Sequence, residues 1–145
     1  MRLWHIDLLP YLPDAQFKGQ LRELVAIMHD WRDKGQTNHL LINRVMDYPK
    51  NSLTRYFCWY ESLYHERYKK WINKCKEFVL FDDTPVDQRE GGCFTGWHDK
   101  QYLRVCMANL YEKHYYGAGK SRITNEEWQR LLDGYKIITG EDYYI

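Results

Sequence analysis

The sequence predicts an all-α protein, and three observations carry that expectation. Apolar residues recur at helical spacing through most of the 145 residues, no run alternates with the period of two that a half-buried strand needs, and capping residues stand where helical runs begin. The length suits a single compact domain over residues 1–145, with a core large enough to dispense with disulfides or a structural metal. No internal repeat or low-complexity stretch breaks it.

Leu8-Leu9-Pro10-Tyr11-Leu12-Pro13 is too interrupted by proline for a helix and reads as an ordered, extended arm leading inward from the N-terminus. Asp14 then reads as the N-cap of a first helix over Ala15–Trp31, whose Phe17, Leu21, Leu24, Val25 and Met28 form one apolar stripe. Asp33-Lys34-Gly35-Gln36 ends it. A shorter helix around Leu40–Tyr48 is stopped by Pro49.

The longest periodic segment starts at an Asn51-Ser52 cap and is expected to run as one helix over Leu53–Val79, with Leu53, Tyr56, Phe57, Tyr60, Leu63, Tyr64, Trp71, Ile72, Cys75 and Phe78 on one face. Residues 81–96, which contain Pro85 and Gly91-Gly92, read as loop. A further helix fits Asp99–Lys113, with Leu103, Cys106, Met107 and Leu110 facing in. Thr124–Glu127 has the form of a capping box ahead of Trp128, Leu131, Leu132 and Tyr135, marking a last short helix.

Composition narrows the function classes. Aromatics make up 17% of the chain, with 13 tyrosines and 6 tryptophans, and such rings both pack cores and stack on bases. The formal charge of +1 does not by itself announce a nucleic-acid binder. Cys58, Cys75, Cys93 and Cys106 stand at wide spacings without a CxxC pair, so free buried thiols in a reducing cytoplasm are expected, with no metal site and no cofactor. No apolar run is long enough to span a bilayer and no charged-then-apolar leader opens the chain. A soluble cytoplasmic monomer without a membrane partner is the expectation.

Met1-Arg2 is the most informative pair for chemistry. Bacterial-type processing removes the initiator methionine only ahead of a small side chain, so Met1 is expected to stay and to present a free α-amine. An α-amine has a pKa near ~7.8 against ~10.4 for lysine, which leaves far more of it unprotonated and nucleophilic at neutral pH. Arg22-Glu23-Leu24 lies in the first helix, where the bland reading is a solvated Arg-Glu pair and the sharper one is a carboxylate beside the amine. His114-Tyr115-Tyr116-Gly117, followed by Ala118-Gly119-Lys120, reads equally well as a helix end and as exposed rings with a lysine for unstacked bases and phosphate.

Other signals are weaker. Gly119-Lys120-Ser121 lacks the upstream glycine of a phosphate loop, since His114 stands there. His29, His39 and His65 lack ligand spacing and read as packing or surface groups, while His5 is close in sequence to the amine. Arg67, Lys69, Lys70, Lys74 and Lys76 read as a solvated face, or as a phosphate track if they lie beside Arg2 and Arg22.

Taken in order, Met1-Arg2, Arg22-Glu23-Leu24, the aromatic run Tyr56-Phe57-Cys58-Trp59-Tyr60-Glu61 and Tyr115-Tyr116-Gly117 resemble the pyrimidine-dimer DNA glycosylase family. The opening Met-Arg-Leu-Trp-His with Leu-Leu-Pro-Tyr-Leu-Pro looks like its bacterial branch. The resemblance implies a metal-free DNA-repair glycosylase with abasic-site lyase activity on double-stranded DNA carrying a lesion or an abasic site. Met1 would supply the Schiff-base amine and Glu23 the catalytic carboxylate, with Arg2, Arg22, Tyr115, Tyr116 and Lys120 on the DNA. Two departures stand out: Met1 itself must serve where the phage enzyme exposes a small residue, and Ala26 replaces a further arginine of the first helix. Two other readings stay open, a non-catalytic helical module that binds nucleic acid or protein, and an enzyme acting on RNA or free nucleosides.

Overall fold

The computed structural model describes residues 2–145, and among them the protein is all-helical and strand-free. Five α-helices follow in order, α1 (Asp14–Lys34), α2 (Lys50–Tyr68), α3 (Cys75–Phe81), α4 (Lys100–Tyr115) and α5 (Asn125–Thr139), with short 3-10 turns between several of them. Two compact units share the chain. The first comprises the described residues up to Leu3 with Leu21–Thr95, the second Trp4–Gln20 with Gly96–Ile145, so α1 passes from one to the other.

In the first unit α1 turns Leu24, Ile27 and Met28 inward, α2 turns Leu53, Tyr56, Phe57 and Tyr60 inward, and all seven are fully buried. The expected single helix over 53–79 is not formed. Lys69 takes a left-handed conformation (φ 56°, ψ 33°) and closes α2 with its N–H on the His65 carbonyl at 2.8 Å. The chain then re-enters a helix at Cys75, and Phe78 stacks on Phe57 with ring centroids 4.0 Å apart. One straight helix would hold those rings roughly 30 Å apart.

Three further expectations change in this unit. Asn51 and Ser52 lie inside α2 rather than capping it, and both are buried. Their side chains reach Glu90 instead: the Asn51 amide donates to the Glu90 carbonyl at 3.0 Å, and the Ser52 hydroxyl donates to its carboxylate. Burial alone would raise the Glu90 carboxyl, but the bonds from Ser52 and Thr95 outweigh it and hold the group below its ordinary value. The helix expected around 40–48 is a 3-10 helix over Ile42–Asp47, and the cysteines are free but only Cys106, in the second unit, is buried.

In the second unit the proline-rich arm is not extended but forms a 3-10 helix, Ile6–Tyr11, in which Pro10 donates no backbone hydrogen bond. Pro10 offers its carbonyl to the Arg130 guanidinium of α5 at 2.8 Å. The Trp4 N–H bonds the Gln20 side chain at 2.8 Å, and the Ile6 N–H bonds His98 Nδ1 at 3.0 Å. His5 is buried against His98 and Tyr102, and burial lowers its pKa, so it is a packed neutral imidazole.

The helix ends of this unit follow the sequence closely. Asp99 caps α4 through the Tyr102 N–H at 2.8 Å, and Thr124 with Glu127 forms the full capping box of α5. The last helix is longer than expected, reaching Thr139 before Gly140 ends it with φ 75°.

Gly134 lets the Tyr11 ring lie flat on α5, because a Cβ there would stand 2.5 Å from the ring's first carbon. Gly134→Ala gains helix propensity of about 1 kcal/mol but incurs overpacking of about 1–3 kcal/mol. A net destabilisation of up to about 2 kcal/mol is expected, read as a lower urea midpoint with an unchanged m-value.

Candidate active site

Helix α1 sets the acidic group in place. Leu24 points fully into the core, and Glu23, one position before it and therefore about 100° around the helix, sits half-buried at the edge of the stripe. Leu3 is also fully buried and anchors the chain just past Arg2. The Arg2 backbone N–H donates to the Glu23 carboxylate.

Burial is the largest influence on Glu23 and pushes its carboxyl above the ordinary value. The Arg2 hydrogen bond and the guanidinium charges of Arg2 and Arg22 pull the other way without cancelling it. The result is an acid whose proton affinity has moved toward neutrality and whose charged form is stabilised by two cations. Such a group can give or take a proton, and the same cations can hold a phosphate. Met1, the expected nucleophile, lies outside the described residues.

Tyr60 is the residue of this neighbourhood that sequence reasoning passed over as mere core. Its fully buried hydroxyl on α2 is hydrogen-bonded to the Leu21 backbone, two residues before Glu23, and burial drives the phenol far above its usual range. Tyr64 and Tyr68 continue up the same face with ring centroids 6.2 and 4.8 Å apart along the series, and Arg67 acts on Tyr60 electrostatically. The i, i+4 spacing of these tyrosines is readable in sequence. The contact of Tyr60 with α1 is not.

Tyr115, Tyr116 and Lys120 belong to the second unit. Tyr115 closes α4 and Tyr116 caps it, their rings edge to face at 4.7 Å and 65% and 77% exposed. That exposure leaves both rings presentable to a ligand. Gly117 makes the corner possible, since a Cβ there would meet the Lys113 carbonyl oxygen at 2.0 Å. Lys120 follows, exposed, in the 3-10 turn Gly119–Ser121. Beyond it an open cleft of about 320 Å³ is lined by Gly119, Arg122, Thr124 and Asn125. Behind the exposed pair, Tyr111 stacks on Tyr115 at 5.7 Å and His114 on the buried Trp128 at 5.6 Å.

Thus the structure brings Arg2, Arg22 and Glu23 together in one unit and Tyr115, Tyr116 and Lys120 in the other. Among the described residues no group of three or more histidines, cysteines, aspartates and glutamates could hold a metal ion. Among the described residues no helix is long and apolar enough to cross a membrane.

Residues 1–75 match the family model described as pyrimidine dimer DNA glycosylase. No curated protein and no solved structure gives a significant match. The matched stretch contains Arg2, Arg22 and Glu23 and stops before the Tyr115–Lys120 segment. With just over half of its length matched, the chain belongs to the pyrimidine dimer DNA glycosylase family.

Proposed function

We propose that the protein is a DNA-repair glycosylase with abasic-site lyase activity, working through an imine at the α-amine of Met1 with Glu23 as the proton-transfer group. The observation that supports this most directly is the Arg2 N–H on the half-buried Glu23 carboxylate. The Met1 nitrogen is separated from that Arg2 nitrogen by three covalent bonds, so the proposal puts the nucleophile on the residue that precedes the donor to Glu23.

The chemistry then follows from proton bookkeeping. The amine attacks C1′ of the damaged nucleotide, the glycosidic bond breaks, and the base leaves with the bonding pair and a proton. Opening of the C1′–O4′ bond gives a protonated imine, which acidifies C2′–H. Loss of that proton expels the 3′ phosphate by β-elimination, and water releases the amine. Glu23, with its raised proton affinity, is suited to relay the protons and to stabilise positive charge on the sugar. Arg2 and Arg22 would neutralise flanking phosphates, and exposed Tyr115 and Tyr116 with Lys120 would meet unstacked bases and backbone. Ala26, where the family pattern has an arginine, leaves one fewer cation for that contact.

Borohydride reduction on a duplex carrying an abasic site should freeze the imine as a covalent adduct. N-terminal acetylation should abolish the adduct, and Glu23→Gln should slow its formation by about 10²–10⁴-fold. No adduct with the native protein would leave a non-catalytic binding module.

Glu23 also makes a signed prediction about stability. Its folded pKa is raised, so its contribution is fully present below the unfolded value of about 4.3 and is lost as pH rises through the folded value. Glu23→Gln should therefore gain stability relative to the native protein on going from pH 4 to pH 7 in urea titrations. A difference that does not change with pH would mean that the carboxylate is not held out of water.

A further inference from the structure

The corner between α2 and α3 carries chemistry that neither the core nor Glu23 uses. Lys69 adopts φ 56°, an uncommon conformation for a residue with a Cβ. Its effect is to fold the chain back so that Trp71 lies on His65, ring centroids 3.8 Å apart and planes within 13°. In an unbroken helix residues six apart point to different sides and could not stack.

Although one indole face rests on the imidazole, Trp71 remains 67% exposed, so the opposite face is open. A tryptophan held in place by a ring beneath it and open above is a preorganised platform for another flat ring. The surroundings select the kind of ring. Within residues 65–76, Arg67, Lys69, Lys70, Lys74 and Lys76 stand against a single carboxylate, Glu66. Lys74 is engaged by Glu77 at 3.2 Å, while Lys69, Lys70 and Lys76 are exposed and enter no ion pair among the described residues. Exposed lysines beside an open aromatic face suit an anionic polymer that carries π-faces.

We infer that this corner is a second nucleic-acid contact, where an unpaired base stacks on Trp71 and the adjoining phosphates lie against Lys69 and Lys70. The inference rests on the reading of the protein as one that acts on DNA, but it needs no chemistry at Glu23. A single-stranded segment is the fitting ligand, because bases stacked within a duplex do not offer their faces.

The test uses the full-length protein and a fluorescently labelled thymidine decamer, followed by anisotropy. Trp71→Ala should weaken binding about tenfold, and Trp71→Phe, which keeps a ring, should stay within a few-fold of native. Lys69→Gln with Lys70→Gln should reduce the slope of log affinity against log salt by about 1.4, the value for two phosphates on a single strand. Circular dichroism checks that each variant keeps its helices. Equal binding by native protein and Trp71→Ala overturns the inference. So does a native protein that does not bind the decamer, which would leave the corner as a contact for another protein. The borohydride adduct on abasic duplex is scored separately: its absence with decamer binding intact sinks the imine chemistry and leaves this contact standing.

Discussion

The hydrogen bond from the Arg2 amide to the Glu23 carboxylate is the constraint on which the functional reading turns. A carboxylate leaving water loses solvation that only donors and cations can replace, and a backbone N–H is a donor whose position costs no side-chain entropy. Leu3 holds that N–H in place, because a fully buried leucine cannot move without exposing apolar surface. The start of the chain is thereby tied to α1 by a polar bond on one residue and an apolar anchor on the next. Displacing Leu3 would loosen the donor, and the carboxylate would regain water and its ordinary acidity.

Where a helix begins or ends through a local side-chain bond, the sequence was sufficient. Thr124 and Glu127 satisfy each other's backbone groups across three residues, and Asp99 bonds the Tyr102 N–H over the same distance, so nothing distant is needed to read them. The segment 53–79 misled for a definite reason. The spacing from Phe57 to Phe78 is close to a whole number of helical turns, so the apolar stripes on either side of Lys69 fall in phase and periodicity runs straight through the break. Asn51 and Ser52 misled in another way: they are good capping residues, but their partners are on Glu90, far along the chain. At the site, Arg22 and Glu23 stood out by motif. The Tyr60 hydroxyl on the Leu21 backbone was invisible because it depends on how α2 packs against α1.

The same high aromatic content serves three physical tasks, and burial separates them. Tyr56, Phe57 and Phe78 fill space and are fully buried. Tyr60 is buried too but carries a polar end to the α1 backbone, which fixes the separation of two helices more narrowly than an apolar ring would. Tyr115, Tyr116 and Trp71 leave most of their surface in water, and each is held by a neighbouring ring. Exposed rings gain little from folding. Their support by a neighbouring ring, at a corner that Gly117 permits in one case and left-handed Lys69 forms in the other, is the property that favours a stacking ligand.

The ionisable groups shifted by partial or full burial allow one more distinction. Burial lowers the pKa of His5 and raises those of Tyr60, Tyr143, Cys58 and Cys93, and in each case the shift deepens the neutral form that the group favours near pH 7. Glu90 is held low by its donors, which deepens its charged form. Those shifts are what satisfied packing produces. Glu23 and Glu61 move the other way, each raised above the ordinary carboxyl value by burial. Of these two only Glu23 has its shift opposed by Arg2, Arg22 and a backbone donor. Burial lifts the proton affinity while the cations favour the charged form, and that opposition is the feature that supports the proposed acid–base role of Glu23 over that of a carboxyl that is simply buried.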